Sequence, residues 1–408
     1  MRVLLAIHNV YTEFTSGAAR SARTMMEWLA ADGHACQVLS TARFEQTVGA
    51  DLPMHLSQLG IAPRRRRSQA GCTLAEFSLA GVAVTAIETR NNSATEADPE
   101  EQRQFVAMFQ EQSRRFRPDL VWSYSGHPAL SQVMRISRMR GIRTMRSVRA
   151  YGYEDRAWFA DTDRVLANSA WLARYYRERI GLRSVAIPSP IAWSEVLGTE
   201  DTRGFVTFVN PSPHKGAALF ARLADMLGQE RPDIPILIVQ SAGGAELLAA
   251  IPGLDLARYP QIVVSPPIAD ASELFSLAKI VLVPSVFPEP FGRVAAEAMV
   301  NGIPALVSDR GALPETVDDG GIVLALPMWM EASGKRVPEP DEIRPWFDAV
   351  NHLWDDETEY QRVATAARAT AHRLYDEATL RQRYAAYFTD PGPYPPLFDN
   401  EAATSDPK

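Results

Sequence analysis

Short apolar runs alternate with stretches of helical periodicity along most of the chain. Runs that read as strands lie at 3–7, 120–124, 165–167 and 185–188, and again at 205–209, 236–239, 262–265, 280–285, 305–308 and 321–324. Strands that alternate with helices indicate βαβ units and parallel sheets buried on both faces. The two series therefore predict an α/β protein with two Rossmann-like domains, each a doubly wound parallel sheet.

The break between the two series falls near Pro188 and Pro190 and the polar stretch 198–204. We expect one domain over residues 1–190 and a second over 203–372. Ligands of open α/β sheets bind beyond the carboxyl ends of the strands, so two such domains are expected to face a cleft. The proline-rich, polar end of the chain, residues 391–408, predicts a disordered tail.

Length and composition fit this picture. The 408 residues exceed a single compact core. No apolar run approaches the ~20 residues of a membrane-spanning helix, and the first run is too short for a signal peptide. Cys36 and Cys72 provide neither a disulfide framework nor a metal cluster. We therefore expect a cytoplasmic protein.

The net charge of −7 conceals an asymmetry. Residues 1–190 contain 25 Arg and no Lys against 18 Asp and Glu, a formal charge of +7. A basic surface would suit an anionic partner, such as a phosphorylated acceptor or acidic lipids at the inner membrane surface. An arginine-rich composition is the simpler interpretation, since the whole chain has four Lys. No recognition module for nucleic acid accompanies the charge.

The most informative segment is PSVFPEPFGRVAAEAMVNGIP at 284–304. A strand enters a proline-interrupted loop, and a helix is predicted to begin near Phe291 and Gly292. The free N–H groups of Phe291, Gly292 and Arg293 would lie at the positive end of that helix, where a phosphate binds well. Gly292 would let the backbone approach the ligand closely.

Two carboxylates flank this helix start. Glu289 lies in the loop and Glu297 in the early turns of the helix. A carboxylate accepts hydrogen bonds from the vicinal hydroxyls of a sugar or a ribose. Taken singly, each Glu is equally well an N-capping acid or a surface residue.

The whole segment resembles the E-x7-E signature of glycosyltransferase family 4, retaining enzymes of the GT-B fold. The spacing of Glu289 and Glu297 fits, as do Phe291–Gly292 between them and Gly302-x-Pro304 after them. The resemblance covers about residues 1–390 and is specific only in the second half. Weaker matches occur in the same order as in the family. They are Gly17, the turn that precedes residues 35–39, residues 118–122 and 163–176, His214–Gly216, Ser308 and Glu315.

The resemblance implies a nucleoside-diphosphate sugar as donor substrate and no cofactor. Lys215 would contact the diphosphate, Glu297 the ribose hydroxyls and Glu289 a hydroxyl of the transferred sugar. The amides of Phe291, Gly292 and Arg293 would hold the sugar and the diphosphate. Gly17 would let its loop pack near the diphosphate.

The acceptor would bind mainly to the first domain. The resemblance leaves its identity open among a sugar, a lipid-linked compound and a small molecule. The last helix, at about 375–390, would return to that domain.

Two positions depart from the family's pattern. The family often has an Arg shortly before the Lys, where this chain has Asn210. A neutral Asn stabilises a leaving diphosphate less than an Arg does. The family commonly has a His in the cleft, after a strand, and the comparable place in this chain holds Arg146. His127 is the nearest histidine that could take the role of that His. Arg146, His127 and Glu289 are our candidate catalytic residues.

A metal site is not expected. Asp161-Thr162-Asp163 matches the Asp-x-Asp by which the other large glycosyltransferase fold holds a divalent ion, but it precedes a strand and is better explained as a solvated turn. We expect Lys215 and the helix start to neutralise the departing diphosphate instead.

The sequence thus predicts a metal-independent retaining glycosyltransferase with an unknown hydroxyl acceptor, in carbohydrate or glycoconjugate biosynthesis. Two alternatives stay open. One is a nucleotide-sugar epimerase or a phosphorylase of the same fold; a phosphorylase would need a cofactor-binding lysine, for which Lys215 and Lys279 are the candidates. The other is a non-catalytic module that binds sugar nucleotides.

Overall fold

A computed structural model describes residues 1–44, 51–89, 98–124, 126–199, 202–241, 244–331 and 336–399. The chain forms two compact units, Met1–Pro190 with Leu380–Lys408, and Ile191–Thr379. Each unit is an α/β layer structure around one sheet. Within the described ranges, no helix combines the length and the apolarity needed to cross a lipid bilayer.

The N-terminal unit is built on a nine-stranded sheet, ordered β3-β4-β5-β2-β1-β6-β7-β8-β9. The strands from β5 to β9 in this order pair in parallel, whereas β3 and β4 add an antiparallel edge. The strands are β1 (Arg2–Ala6), β2 (Ala35–Thr41), β3 (Arg64–Arg67), β4 (Thr73–Leu79), β5 (Val82–Ile87), β6 (Leu120–Ser123), β7 (Arg143–Val148), β8 (Arg164–Ala167) and β9 (Val185–Ala186).

In the described residues of this unit, five α-helices connect the strands. Several begin with a side chain that accepts a backbone N–H, as at Ser16, Asp98 and Ser169, because such residues satisfy the free amides of a helix start. The helices are α1 (Gly17–Ala31), α2 (Leu52–Gln58), α3 (Pro99–Phe116), α4 (Pro128–Met139) and α5 (Ala170–Ile180).

The C-terminal unit is built on a six-stranded parallel sheet, ordered β12-β11-β10-β13-β14-β15. Chain order reverses between β10 and β13, which makes these neighbours a topological switch point, the place where open α/β sheets bind ligands. The strands are β10 (Phe205–Val209), β11 (Ile236–Val239), β12 (Ile262–Ser265), β13 (Ala278–Val283), β14 (Ala305–Ser308) and β15 (Ile322–Leu324).

The helices of this unit cover its sheet. An apolar core joins them to the strands; within it, the rings of Phe208 and Phe220 stack 4.2 Å apart and Trp346 is fully buried. The helices are α6 (Ala217–Glu230), α7 (Ala245–Ala249), α8 (Ala271–Leu277), α9 (Arg293–Val300), α10 (Leu313–Val317), α11 (Arg344–Asp355) and α12 (Glu357–Tyr375).

The last helix, α13 (Glu377–Thr389), enters the N-terminal unit from Leu380 onward. The Tyr384 hydroxyl donates to Pro188 O at 2.6 Å, and Arg381 forms an ion pair with Asp32 at 2.5 Å. Both contacts tie the end of the chain to segments far away in sequence.

Residues 391–399 differ from the expected disordered tail. Phe398 forms an isolated bridge with Leu182, and Asp399 Oδ1 lies 2.5 Å from Arg183 Nε. The Arg156 guanidinium lies 4.8 Å from the centre of the Phe398 ring. Two aromatic side chains, Tyr394 and Phe398, and two ion pairs of Asp399 hold this segment, which the polar composition does not reveal. Residues 400–408 lie outside the described part of the chain.

Candidate functional site

The switch point between β10 and β13 brings two loops to one edge of the C-terminal sheet. The loop after β10 passes through a short 3-10 turn, Pro213–Lys215, into α6. The loop after β13 leads into α9. Since both strands end at the same edge, side chains of these loops can meet there.

Lys215 and Glu289 meet in this way. Lys215 Nζ lies 2.5 Å from Glu289 Oε1, and the Ser285 hydroxyl donates to the same oxygen at 2.7 Å. Glu289 is 8% exposed, whereas 36% of the Lys215 side chain is exposed. One oxygen of the buried carboxylate thus has two partners, while the lysine remains partly exposed to solvent and to any ligand bound there.

The backbone around this pair is fixed by two glycines. Gly216 has a φ of +86°, and a Cβ there would lie 2.1 Å from Pro284 O. Gly311 has a φ of +63°, and a Cβ there would lie 2.4 Å from both the N and the O of Glu289. Side chains are disfavoured at such φ values and are blocked here by backbone as well. The loops therefore pack against each other through their main chains.

Helix α9 begins at Arg293, four residues after Glu289. Gly292, at a φ of +91°, precedes the first helical residue, Arg293, and in the described part of the chain no side chain caps this end. The helix dipole places positive partial charge at this end, which favours an anionic ligand there.

Phe291 has a packing role beside this helix start. It is 5% exposed, its ring meets the Tyr375 ring edge-on at 5.7 Å, and its carbonyl accepts the Thr316 hydroxyl. A Cβ at Gly292 would lie 2.5 Å from Leu313 Cδ2, so α10 closes over the same segment. The helix start is thereby held rigidly.

Glu297 is one helical turn from Arg293 and pairs with it. Arg293 Nε lies 2.6 Å from Glu297 Oε1, and the two side chains are 10% and 3% exposed. A buried guanidinium stabilises a charged carboxylate, which then remains an acceptor for hydroxyl groups. Contact of Glu297 with a ribose stays a prediction.

Asn210 turns the chain after β10. Its φ is +63°, its N–H donates to Val239 O at 2.8 Å, and its carbonyl accepts the Ser212 N–H at 2.7 Å. Asparagine tolerates this left-handed conformation better than most residues. The structure therefore gives Asn210 a defined role in the turn leading to Lys215, beside the predicted contact with the donor.

The remaining candidates lie in the N-terminal unit. Gly17 is the first residue of α1, is exposed, and follows the cap Ser16, whose hydroxyl accepts the Ala19 N–H at 3.2 Å. This is the expected position, in the connection after β1. Its predicted nearness to a diphosphate stays a prediction.

His127 caps α4, and its ring stacks on another histidine. Its Nδ1 accepts the Ala129 N–H at 3.2 Å, and the ring lies parallel to that of His8 with centroids 3.3 Å apart. Burial and the charge of Arg43 lower the pKa of His127 to about 4. Burial, His127 and Arg43 lower the pKa of His8 to about 3. Both imidazoles are neutral near pH 7, and His127 already has a structural task.

Arg146 is inside β7 instead of beyond its end, which corrects the sequence-based placement. It is 5% exposed, and its Nη2 donates to Ser131 Oγ at 3.2 Å. Burial lowers its pKa to about 10, so it stays charged near neutral pH. The residue that directly follows β7 is Arg149, whose guanidinium lies 5.5 Å from the centre of the Tyr124 ring.

Asp163 of the Asp-x-Asp segment joins β8 to β7. Its Oδ2 accepts the N–H and the hydroxyl of Thr144 at 2.7 and 3.0 Å. Among the residues that the structure describes, no three His, Cys, Asp or Glu side chains are grouped as a metal site would require.

Sequence reasoning missed Ser285 and Gly311. Ser285 is fully buried and is the first polar residue after β13, with Pro284 between them, which is a usable signal for a site residue. Gly311 gave no such signal, because its role arises only where its backbone meets that of Glu289.

The C-terminal unit matches a known family. Residues 192–370 match the family described as "Glycosyl transferases group 1". The chain is 30% identical over 166 residues to D-inositol 3-phosphate glycosyltransferase from Corynebacterium kroppenstedtii, and 31% identical over 149 residues to the protein of that name from Paenarthrobacter aurescens. These matches cover 39% and 35% of this chain, and 34% and 33% of the relatives, so the chain spans about a third of their length.

Solved structures resemble nearly the whole chain. HepE from Anabaena in complex with UDP-glucose aligns with a TM-score of 0.66 at 19% identity, over 95% of this chain and 99% of its own. Sucrose-phosphate synthase from Thermosynechococcus elongatus aligns with a TM-score of 0.63 at 15% identity, over 95% of this chain and 98% of its own. These likenesses confirm the predicted fold class, two Rossmann-like units of GT-B type.

Proposed function

We propose that this protein is a retaining, metal-independent glycosyltransferase of family 4, because residues 192–370 match the family described as "Glycosyl transferases group 1". It moves a sugar from a nucleoside-diphosphate sugar to a hydroxyl acceptor. The observation that carries the proposal is the contact between Lys215 and Glu289 at 2.5 Å, which joins two distant parts of the chain at the switch point.

The donor diphosphate binds between Lys215 and the start of α9. Lys215 is partly exposed and the amides after Gly292 have no capping side chain in the described part of the chain, so both can face the same anion. A hydrogen bond to a charged group contributes about 1.5–3 kcal/mol. The positive end of α9 adds a smaller, favourable term.

The two carboxylates bind the sugar parts of the donor. Glu297, paired with Arg293, accepts the ribose hydroxyls. Glu289, oriented by Ser285 and Lys215, accepts a hydroxyl of the transferred sugar. The two roles differ because only Glu289 contacts the lysine that binds the diphosphate.

In the transfer step, the bond between the anomeric carbon and the diphosphate oxygen breaks and a bond to the acceptor oxygen forms on the same face. The acceptor proton passes to the departing diphosphate. Lys215 and the α9 amides stabilise the negative charge that develops on this leaving group. Arg146 takes no proton, since its pKa of about 10 keeps it charged.

The acceptor is a sugar, a lipid-linked compound or a small molecule bound by the N-terminal unit. Two comparisons support a hydroxyl acceptor: the relatives are named for D-inositol 3-phosphate, and HepE is described in complex with UDP and glucose. The 25 arginines of residues 1–190 would suit an acceptor with a phosphate group.

Release of nucleoside diphosphate tests the proposal. Purified protein is incubated with UDP-, GDP- and ADP-sugars, with and without a panel of hydroxyl acceptors, and the released diphosphate and the product anomer are measured. We expect acceptor-dependent release from one donor class and an anomer that matches the donor. Inverted product rejects retention, donor isomerisation without acceptor indicates an epimerase, and binding without any release indicates a non-catalytic module.

A further inference from the structure

A second groove of the C-terminal unit lies at the opposite edge of its sheet. Its volume is about 720 Å³, and it lies at the amino ends of the strands, next to Arg203 before β10 and Gly302 before β14. The candidate site of Lys215 lies at the carboxyl ends. The groove is therefore separate from the site described above, although α9 lies between the two.

Basic side chains line this groove. Arg203, Lys279 and Arg368 contribute three cations, and Glu357 is the one carboxylate among the described lining residues. One oxygen of Glu357 accepts a hydrogen bond from Gln361 Nε2 at 2.8 Å. In the described part of the chain, neither Lys279 nor Arg368 forms an ion pair with a carboxylate.

Two of the cations are fixed on one backbone oxygen. Arg203 Nη2 and Arg368 Nη2 both donate to Asn301 O, at 3.0 and 3.1 Å. Asn301 is 1% exposed and ends α9, and its side chain bonds Val196 O and the Gly198 N–H. The negative end of the α9 dipole attracts both guanidinium groups. Because Asn301 is buried and hydrogen-bonded, it holds these two like charges close together.

Lys279 is positioned by aromatic rings instead. Its Nζ lies 4.6 Å from the centre of the Trp354 ring and 5.2 Å from that of Tyr360. Cation–π contacts of this kind hold an ammonium group without neutralising it. The charge of Lys279 is therefore available to a ligand in the groove.

We infer that this groove binds a small, multiply charged anion, such as a phosphorylated metabolite. Like charges held together raise the local potential, and an anion relieves that repulsion. The volume lies within the range of small-molecule sites, roughly 300–1,000 Å³. This inference does not depend on the glycosyl transfer proposed above.

Calorimetric titration with inorganic pyrophosphate tests it. The full chain carries Lys215→Ala throughout, so that the candidate donor site contributes no lysine. Added to this background, Lys279→Gln and Arg368→Gln are each expected to weaken binding tenfold or more. Arg362→Gln is the matched control, because Arg362 lies on the same helix, α12, is exposed and pairs with Glu359.

The outcomes separate the possibilities. The Lys279 side chain makes no hydrogen bond in the described residues, so the Lys279→Gln variant should keep the fold. Arg368→Gln removes the bond to Asn301 O and could destabilise the protein. Melting curves show whether each variant is folded. No binding in the Lys215→Ala background at millimolar pyrophosphate overturns the inference. So does equal weakening by Arg362→Gln, or unchanged binding in a folded Lys279→Gln protein at matched ionic strength.

Discussion

Lys215 and Glu289 are 74 positions apart in the chain, yet Nζ of the first lies 2.5 Å from Oε1 of the second. Lys215 follows β10 and Glu289 follows β13, so the contact exists because these strands are neighbours. Lys215 thus neutralises a buried carboxylate and also faces any ligand. A substitution of Lys215 therefore changes both ligand binding and the environment of Glu289.

Replacement of Lys215 by Ala should weaken binding of a nucleoside diphosphate tenfold or more, which corresponds to about 1.4 kcal/mol. The variant loses a charge-assisted bond to the diphosphate, and the Glu289 carboxylate loses its lysine partner while keeping the bond from Ser285. Calorimetric titration measures the affinity. Arg362→Gln serves as the control, and equal affinity in a folded Lys215→Ala protein would exclude Lys215 from the site.

Replacement of Glu297 by Gln should also reduce this affinity tenfold or more, about 1.4 kcal/mol. The change keeps the shape but removes the charge that pairs with Arg293. An unpaired buried charge is strongly unfavourable, so a lower melting temperature is expected as well. Glu359→Gln is the matched control, because the half-buried Glu359 of α12 also forms an ion pair with an arginine of its own helix, Arg362. Loss of stability with full affinity would limit Glu297 to a structural role.

Gly311→Ala should damage the site through the backbone. The new Cβ would lie 2.4 Å from the N and O of Glu289, at a φ of +63°. Such strain costs on the order of 1–3 kcal/mol, measurable by urea unfolding. Gly204→Ala is the control, because the nearest atom to its Cβ would be Thr202 O at 3.8 Å. Similar unfolding energies for both variants would contradict the proposed packing of the two loops.

Metal independence can be tested directly. We expect transfer activity to survive excess chelator, because Lys215 and the start of α9 supply the positive charge for the diphosphate. Activity is compared before and after chelation with the donor found by the panel. Abolition by chelator and rescue by manganese would overturn this expectation.

Much of the C-terminal sheet could be predicted from the sequence. The strands 205–209, 236–239, 262–265 and 305–308 have the predicted bounds, because each is a short parallel strand that reads as a continuous apolar run. The N-terminal sheet was harder to predict. Its edge strand Arg64–Arg67 consists of four arginines, and an edge strand with exposed side chains needs no apolar pattern.

The candidate site was predictable only where the chain itself carries the pattern. Glu289 and Gly292 lie in one short segment, and the structure places both beside the start of α9. The sequence did not predict which arginine directly follows β7. Arg146 and Arg149 are three residues apart, and only the observed end of the strand shows that Arg149 follows it. The packing of His127 on His8 depends on tertiary structure, and no periodicity reports it.

The stacked rings of His8 and His127 make the stability of the protein depend on pH. Their pKa values in the folded protein are lowered to about 3 and about 4, from 6.5. Below pH 6.5 the unfolded chain binds protons at these rings and the folded chain does not, so the free energy of unfolding decreases as the pH falls. The decrease ends near pH 4 to 3, where the folded rings also become protonated.

His127→Asn isolates this effect, because asparagine also caps helices and can accept the Ala129 N–H in place of Nδ1. Urea unfolding between pH 7 and pH 4 should show a smaller slope than in the native protein. The difference is at most about 1.4 kcal/mol per pH unit, and less because the ring is partly exposed. His352→Asn, at an exposed position of α11, should keep the native slope. An equal slope in His127→Asn and the native protein would mean that the folded His127 binds its proton as readily as the unfolded chain does, contrary to its burial beside Arg43.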